Sequence, residues 1–451
     1  MISIFKKLVV AAIATTSLLQ LASCAQQNEF DADSNKGKGE STYASFSFKI
    51  DNPATRAEDG NADAVETTVS SVKLYIFSDN VLETAIVPTL NRTETEPVET
   101  TTGRKMIYVV TPAETLFENG FTPSVGTTTL SQFEQALTKA SASVIAKENT
   151  FLMAGGRDYV VARCTKEEAK ARPVSITLTR SSAKMQLKIA EDTEIRESIG
   201  AAFSEFYFGI AQASRNMYLI GADDHYTSLG TKTAGSGTYS NFETLPSDYT
   251  GFYVPAVNEF NSKASDSRYC GENYQKEEPM SGSTTFALIK SKVTPAEVYG
   301  GSALTEGTFW VIALNDSKTA SWIFLQNEGR QLYFASKADA ENYISTNKVN
   351  EGIEEGAQKW AAYEYKEGIC YYRLNITTDQ EESHAKNLRF RVMRNTFYQA
   401  TVTKIDALGS PTPGGVIPDD PDQPVEPSAW LVCKISLKPW TVCNMGDQVL
   451  Q

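Results

Sequence analysis

The chain has 451 residues and a formal charge of −13, from 42 Lys and Arg against 55 Asp and Glu. The length leaves room for two or three domains with a sizeable core. The acidic balance argues against nucleic acid as a partner and against adsorption to anionic lipid. Two histidines beside 20 Tyr and 21 Phe suit an exported β-rich protein better than a metalloenzyme.

The first residues read as an export signal. Lys6 and Lys7 precede a mostly apolar stretch, residues 8–19, which is shorter than the about 20 residues of a spanning helix. Leu21-Ala22-Ser23-Cys24 follows and resembles the bacterial lipobox. The resemblance implies cleavage between Ser23 and Cys24 and lipidation of Cys24. Each buried CH₂ of an acyl chain contributes about 0.8 kcal/mol, so two or three chains hold a protein firmly on a membrane. Residues 25–42 are polar and read as a tether.

A strand with one buried face comes next. Ala44, Phe46, Phe48 and Ile50 point one way, and Ser45, Ser47 and Lys49 the other. Asp51-Asn52-Pro53 ends it, and the small, acidic residues 54–66 read as an exposed loop that holds Arg56. Strands are expected at 72–77, 104–110, 174–179 and 183–189. One amphipathic helix is expected within 129–147, where Leu130, Phe133 and Leu137 recur at helical spacing. A first domain boundary falls near 184.

A second β-rich region runs to 408, with strands expected at 203–210, 308–314, 322–325, 388–393 and 396–405. Long Gly/Ser/Thr stretches between them read as surface loops. Residues 409–427 hold six prolines, three glycines and four acidic residues, and read as a semi-rigid extended spacer. Beyond it, Leu431, Cys433, Ile435 and Leu437 share one face. Pro439 breaks the phase, and Trp440 and Val442 carry the alternate parity.

Motifs of catalysis are sparse. His225 and His384 sit in polar loops, and no G-x-S-x-G surrounds any serine. Met153-Ala-Gly-Gly-Arg157 lacks the Lys-Ser/Thr of a phosphate loop and reads as a tight turn. The acidic runs lack calcium-ligand spacing. Cys164, Cys270, Cys370, Cys433 and Cys443 are too widely spaced for a zinc site or a disulfide framework. No cofactor, metal or enzymatic activity is expected.

The informative pattern is structural. A terminal apolar strand beyond a spacer satisfies its backbone by joining a sheet edge on another molecule. A head-to-tail contact that does not close makes a filament. The lipobox, Thr55-Arg56-Ala57-Glu58-Asp59-Gly60, Arg180-Ser-Ser-Ala-Lys184, Arg394-Asn395-Thr396-Phe397-Tyr398 and Ser436-Leu-Lys-Pro-Trp-Thr-Val442 together resemble the major (shaft) fimbrial subunits of Bacteroidales-type, or type V, pili. The resemblance spans nearly the whole chain and is weakest across 190–380.

That family implies a mainly β protein with two transthyretin-like β-sandwich domains, one or two short helices and a donor-strand arm. It divides the chain into a signal peptide (1–23), a lipidated propeptide (24–56), an acceptor domain (57–184), a second β domain (185–408), the spacer (409–427) and the arm (428–451). It also implies that an Arg-specific protease cuts between Arg56 and Ala57. The strand carrying Ala44, Phe46, Phe48 and Ile50 is then lost. The arm of an identical subunit, with Leu431, Cys433, Ile435, Leu437, Trp440 and Val442, fills the groove. The implied partners are further copies, accessory tip and anchor proteins and the protease. The implied location is the outer membrane, held only through lipid on the precursor, and then an extracellular fimbrium supporting adhesion. Cys433 and Cys443 depart from the family ending; buried free thiols and an intersubunit link are both open. The competing reading is a monomeric surface lipoprotein that binds glycans through aromatics in the 220–340 loops.

Overall fold

The computed structural model describes residues 39–51, 62–221, 239–273, 278–377, 390–425 and 431–439. Ser23, Cys24, Arg56, Ala57, His225, His384, Trp440, Val442 and Cys443 lie outside the described residues.

The first body opens with β1 (Ser41–Ala44) and β2 (Phe46–Ile50). Then come β3 (Lys73–Ser78), β4 (Val81–Ile86), β5 (Leu90–Asn91), β6 (Glu94–Thr95), β7 (Val98–Thr101) and β8 (Gly103–Thr111). β9 (Leu137–Lys139), β10 (Met153–Val161) and β11 (Val174–Arg180) complete it. One sheet runs β4-β3-β8-β10-β11-β2-β6-β5. Its two halves join through only two residue pairs, Met153↔Arg180 and Ala154↔Thr179. Leu74, Ile76, Ile107 and Val109 from one half share a core with Phe46, Phe48, Ile176 and Leu178 from the other. The sheet therefore folds over on itself, as inward-facing alternate residues on both halves require.

The chain crosses into the second body at Ser181. Here lie β12 (Ser182–Ile195), β13 (Ala201–Ala211), β14 (Asn216–Tyr218), β15 (Val254–Pro255), β16 (Arg268–Gly271) and β17 (Phe286–Pro295). β18 (Phe309–Asp316), β19 (Ser321–Phe324), β20 (Gln326–Asn327), β21 (Arg330–Gln331), β22 (Ala361–Tyr365), β23 (Ile369–Asn375), β24 (Thr396–Ile405) and β25 (Leu431–Pro439) follow. Two four-stranded sheets, β16-β12-β24-β25 and β15-β13-β17-β23, enclose a second core with Leu187 and Val402 on one side and Ile289 and Tyr372 on the other. The mainly β class expected from the sequence holds.

Four short α-helices occur among the described residues: α1 (Leu130–Glu134), α2 (Ala142–Ile145), α3 (Lys166–Ala171) and α4 (Lys337–Thr346). The single helix expected within 129–147 is instead α1, β9 and α2. Thr129 and Gln132 form a capping box that starts α1. The chain then leaves the helix because β9 pairs with β14 at Leu137↔Tyr218. Tertiary pairing overrides the local period.

Three other expectations change. Residues 388–393 form no strand among the described residues; Val392 makes only an isolated bridge to Asn273. Residues 409–425 are no extended spacer. Ser410 bridges Tyr371, residues 413–416 form a 3₁₀ turn, and Val416 is buried against Phe286 and Leu288. The Trp322 indole N–H donates to the Gly415 carbonyl at 2.9 Å, which fixes that turn to the body.

The glycine pair in Met153-Ala-Gly-Gly-Arg157 lies inside β10, not in a turn. A Cβ on Gly155 would lie 1.9 Å from the Thr177 carbonyl oxygen, and one on Gly156 2.4 Å from the Tyr108 ring. Only glycine allows the close approach at which the two half-sheets meet. Gly155→Ala should lower stability by about 1–3 kcal/mol or more, read as a fall in the urea midpoint. Val160→Ala on the same strand, exposed in its present form, should change it by less than about 0.5 kcal/mol.

Candidate functional site

The strand that the sequence marks as removable fills a slot in the first body. β2 runs parallel to β11, with Phe46↔Val174, Phe48↔Ile176 and Ile50↔Leu178 in register. On its other side, the Phe46 N–H donates to Thr95 Oγ1 at 3.0 Å and the Phe48 N–H to the Thr93 carbonyl at 2.9 Å. β1 pairs antiparallel with β7, Thr42↔Thr100 and Ala44↔Val98. Thr42, Ala44, Phe46 and Phe48 are buried and Ile50 is half-buried, so the even positions line the core as the alternation requires. Full burial of each large apolar side chain contributes about 1.5–3 kcal/mol. The strand sits inside a sheet and completes a core, rather than decorating an edge.

Immediately beyond it lies a buried polar joint. The Asp51 N–H donates to the Leu178 carbonyl at 2.6 Å, and Asn395 Nδ2 donates to Asp51 Oδ2 at 3.2 Å. Asn395 Oδ1 accepts from Arg180 at 3.1 Å, and Arg180 Nε donates to the Glu66 carbonyl at 2.9 Å. Lys184 Nζ lies 3.0 Å from Glu66 Oε1, with both side chains wholly buried. The Tyr269 hydroxyl donates to the same carboxylate, and Lys184 also stands over the Phe397 ring at 5.1 Å.

The charges here are shaped by their surroundings. Burial pushes the Arg180 guanidinium down to about 10, against the pull of Glu66 and Asp51. Burial also lowers Lys184, opposed by Glu66. Burial, and then Glu66, raises the Tyr269 phenol and keeps it a donor. The short turn that presents Glu66 is a capping box: Asp63 accepts from Val65 N–H, and Glu66 accepts from Asp63 N–H. The Ala264 N–H holds the Asp63 carboxyl below its ordinary value of 3.8, and reaches it at 3.0 Å. Arg180 and Lys184 of the sequence motif thus meet on Glu66, one at its carbonyl and one at its carboxylate, and Asn395 of the second motif links Arg180 to Asp51. Sequence reading missed Asp51, Glu66 and Tyr269. The Asp63-Ala-Val-Glu66 spacing was the only available signal.

The terminal arm is not detached. β25 pairs antiparallel with β24 of its own chain, from Thr396↔Pro439 to Ile405↔Leu431. Leu431 is buried, and Cys433 and Ile435 pack on the second core. A free edge on β24 and a matching apolar face make this docking available within the chain. The first strand and the arm therefore occupy different sheets, and the fold does not bring them together. Cys164, Cys270, Cys370 and Cys433 form no disulfide with one another.

Two family profiles match the chain. "Fimbrillin-A associated anchor proteins Mfa1 and Mfa2" spans residues 34–267, and "Major fimbrial subunit protein type IV, Fimbrillin, C-terminal" spans 363–445. The chain belongs to the Bacteroidales type V fimbrial subunits. A solved structure agrees in fold. A fimbrilin from Porphyromonas gingivalis W83 aligns with TM-score 0.50 and 14% identity over 89% of this chain and 98% of that one. A candidate cell adhesion protein from Bacteroides eggerthii gives 0.45 and 14%, covering 90% and 98%. No curated protein matches in sequence. The monomeric glycan-binding reading is not favoured by these likenesses.

In this fimbrial subunit, Glu66→Gln should cost about 3–5 kcal/mol by leaving Lys184 buried without its counter-charge. Urea unfolding measures the loss, and adding Lys184→Met should recover part of it. Asp63 has a lowered folded-state value. Its contribution is therefore complete above the ordinary carboxylate range and is lost as pH falls through the lowered value. Asp63→Asn should flatten the dependence of the urea midpoint on pH between about 2 and 5.

Proposed function

We propose that this subunit builds the shaft of its fimbrium, and that it is exported as a precursor lipidated at Cys24 and activated by cleavage between Arg56 and Ala57. In this reading residues 24–56 are the propeptide, 57–184 the acceptor domain, 185–408 the second domain and 428–451 the donor arm. Identical subunits join head to tail. The arm of one, through Leu431, Cys433, Ile435, Leu437, Trp440 and Val442, replaces the strand of Ala44, Phe46, Phe48 and Ile50 in the next. Accessory tip and anchor proteins end the filament. The role is structural and adhesive, and no enzymatic step belongs to the chain.

One observation carries the reading. A strand that completes the first core ends at Ile50, six positions before Arg56. A cut there leaves β1 and β2 held by non-covalent contacts alone. Their loss would bare Ile176, Leu178 and Val98, an apolar face too large to stay open in water. The arm offers a second alternating strand of matching character. The shaft role is preferred because this chain carries both a removable strand and an arm.

Treating the purified full-length precursor with a trypsin-like protease should give Ala57 as the new N-terminus by mass spectrometry, and filaments by electron microscopy. Arg56→Ala should block both. If cleaved protein lacking residues 428–451 still polymerises, the donor-arm reading is wrong.

A further inference from the structure

Strand exchange of the kind proposed above would uncover a thiol at the mouth of the emptied slot. Cys164 lies between β10 and α3. Its N–H donates to Thr42 Oγ1 at 2.8 Å, and its Sγ lies 3.8 Å from that oxygen. The same Sγ donates to the Tyr43 carbonyl at 2.9 Å. Thr42 Oγ1 also reaches the Ala162 carbonyl at 3.2 Å. β1 is thus what covers Cys164, and all of β1 lies upstream of Arg56.

The slot has five inward positions: Thr42, Ala44, Phe46, Phe48 and Ile50. The first two are a small polar residue and a small apolar one. The arm reads Cys433, Ile435, Leu437 and then, after the phase change at Pro439, Trp440 and Val442. Laid in the same direction, Cys433 meets the Thr42 niche and four apolar residues meet the rest. Laid in the opposite direction, Val442 enters the polar niche and Trp440 falls where Ala44 was. The first alignment places a thiol in the polar niche and Ile435 at Ala44; the second places Val442 and the much larger Trp440 there, so the first is the less crowded and the better matched in polarity.

We infer that Cys433 of one subunit takes the position of Thr42 in the next and forms an intersubunit disulfide with Cys164, which locks the filament covalently. The inference rests on the strand-exchange reading. A sulfur in place of Thr42 Oγ1 starts 3.8 Å from Cys164 Sγ. A disulfide requires the two sulfurs to close from there to about 2.05 Å.

The oxidant is a small-molecule disulfide. The Cys433 thiolate attacks it and expels one thiol. The Cys164 thiolate then attacks the Cys433 sulfur of the mixed disulfide and expels the second. Two protein thiols lose two electrons and two protons, and the small disulfide leaves as two thiols. In the parked arm, Cys433 faces the second core, where burial pushes its thiol up to about 12. It is a poor nucleophile until the arm leaves β24.

The test is to cleave the full-length precursor in a buffer of oxidised and reduced glutathione and run the filaments on heated, non-reducing gels. A covalent ladder that collapses to monomer on reduction is expected, with a Cys164–Cys433 linked peptide by mass spectrometry. Cys164→Ser and Cys433→Ser should each abolish the ladder while leaving filaments visible by electron microscopy. Cys443→Ser should retain the ladder. Wild-type filaments in which both thiols remain open to alkylation after unfolding, or a ladder linked through Cys443, would overturn the lock alone. If cleaved wild-type protein forms no filaments, strand exchange fails and the lock falls with it.

Discussion

The buried carboxylate of Glu66 is the contact on which the arrangement of the two β bodies depends. A charge without water is costly unless it is paired and hydrogen-bonded. Glu66 is satisfied by Lys184 at the start of β12, by Tyr269 in β16 and by the N–H of Asp63. Its own carbonyl accepts from Arg180 at the end of β11. One short turn therefore binds the last strand of the first sheet to two strands of the second. Apolar packing has no comparable directionality, so the joint fixes how the chain crosses between bodies at Ser181, while the two cores supply the bulk of the stabilisation.

The joint also separates what the proposed cleavage would remove from what it would leave. Among the described residues upstream of Arg56, Asp51 is the one that enters it, donating its N–H to the Leu178 carbonyl and accepting from Asn395. Glu66, Arg180, Lys184, Tyr269 and Asn395 all lie downstream of Arg56. Loss of the first strand takes one carboxylate from the surroundings of Arg180 and leaves the bond to Glu66 and the bond to Asn395 in place. The apolar slot empties while the polar frame around it persists. A groove with fixed walls is better prepared for a new strand than one that collapses.

Much of the fold was legible in the sequence because period-2 alternation reports burial directly. Ala44, Phe46 and Phe48 and, in the second body, Tyr398, Ala400 and Val402 are buried as their alternation demands. Features set by distant contacts were not. The helix expected in 129–147 breaks at a pairing with residues 216–218, which nothing local announces. The proline-rich segment looked like a spacer because composition does not reveal Val416 packing on Phe286. The arm looked detached because its partner edge, β24, is free only in three dimensions. Of the slot, the inward residues were visible in the alternation and the Thr42–Cys164 niche was not, since 122 positions separate the two. The basic residues of the joint stood out as motif residues, but their shared partner, Glu66, lies more than a hundred positions away from each.

The same long separations bear on why a strand made in the chain would be replaced only after a cut. β2 reaches β11 across a loop of well over a hundred residues, yet doubling a loop costs only about 0.6 kcal/mol. Once closed, the tethered strand competes intramolecularly, without the concentration dependence that a neighbour's arm meets in solution. Better side chains on the arm would not by themselves reverse that advantage. In the proposed scheme a cut at Arg56, between Asp51 and Glu66, would do so at once. The departing strand would be diluted to its bulk concentration, whereas its replacement would come attached to a whole subunit. The parked position of β25 adds a second intramolecular hold, because the arm must leave β24 before it serves another molecule. In the proposed scheme both holds obey one rule: the precursor would stay monomeric because each of the two exchanging strands has a partner at home, and proteolysis would release the first of these while leaving the Glu66 contacts to Arg180 and Lys184 in place.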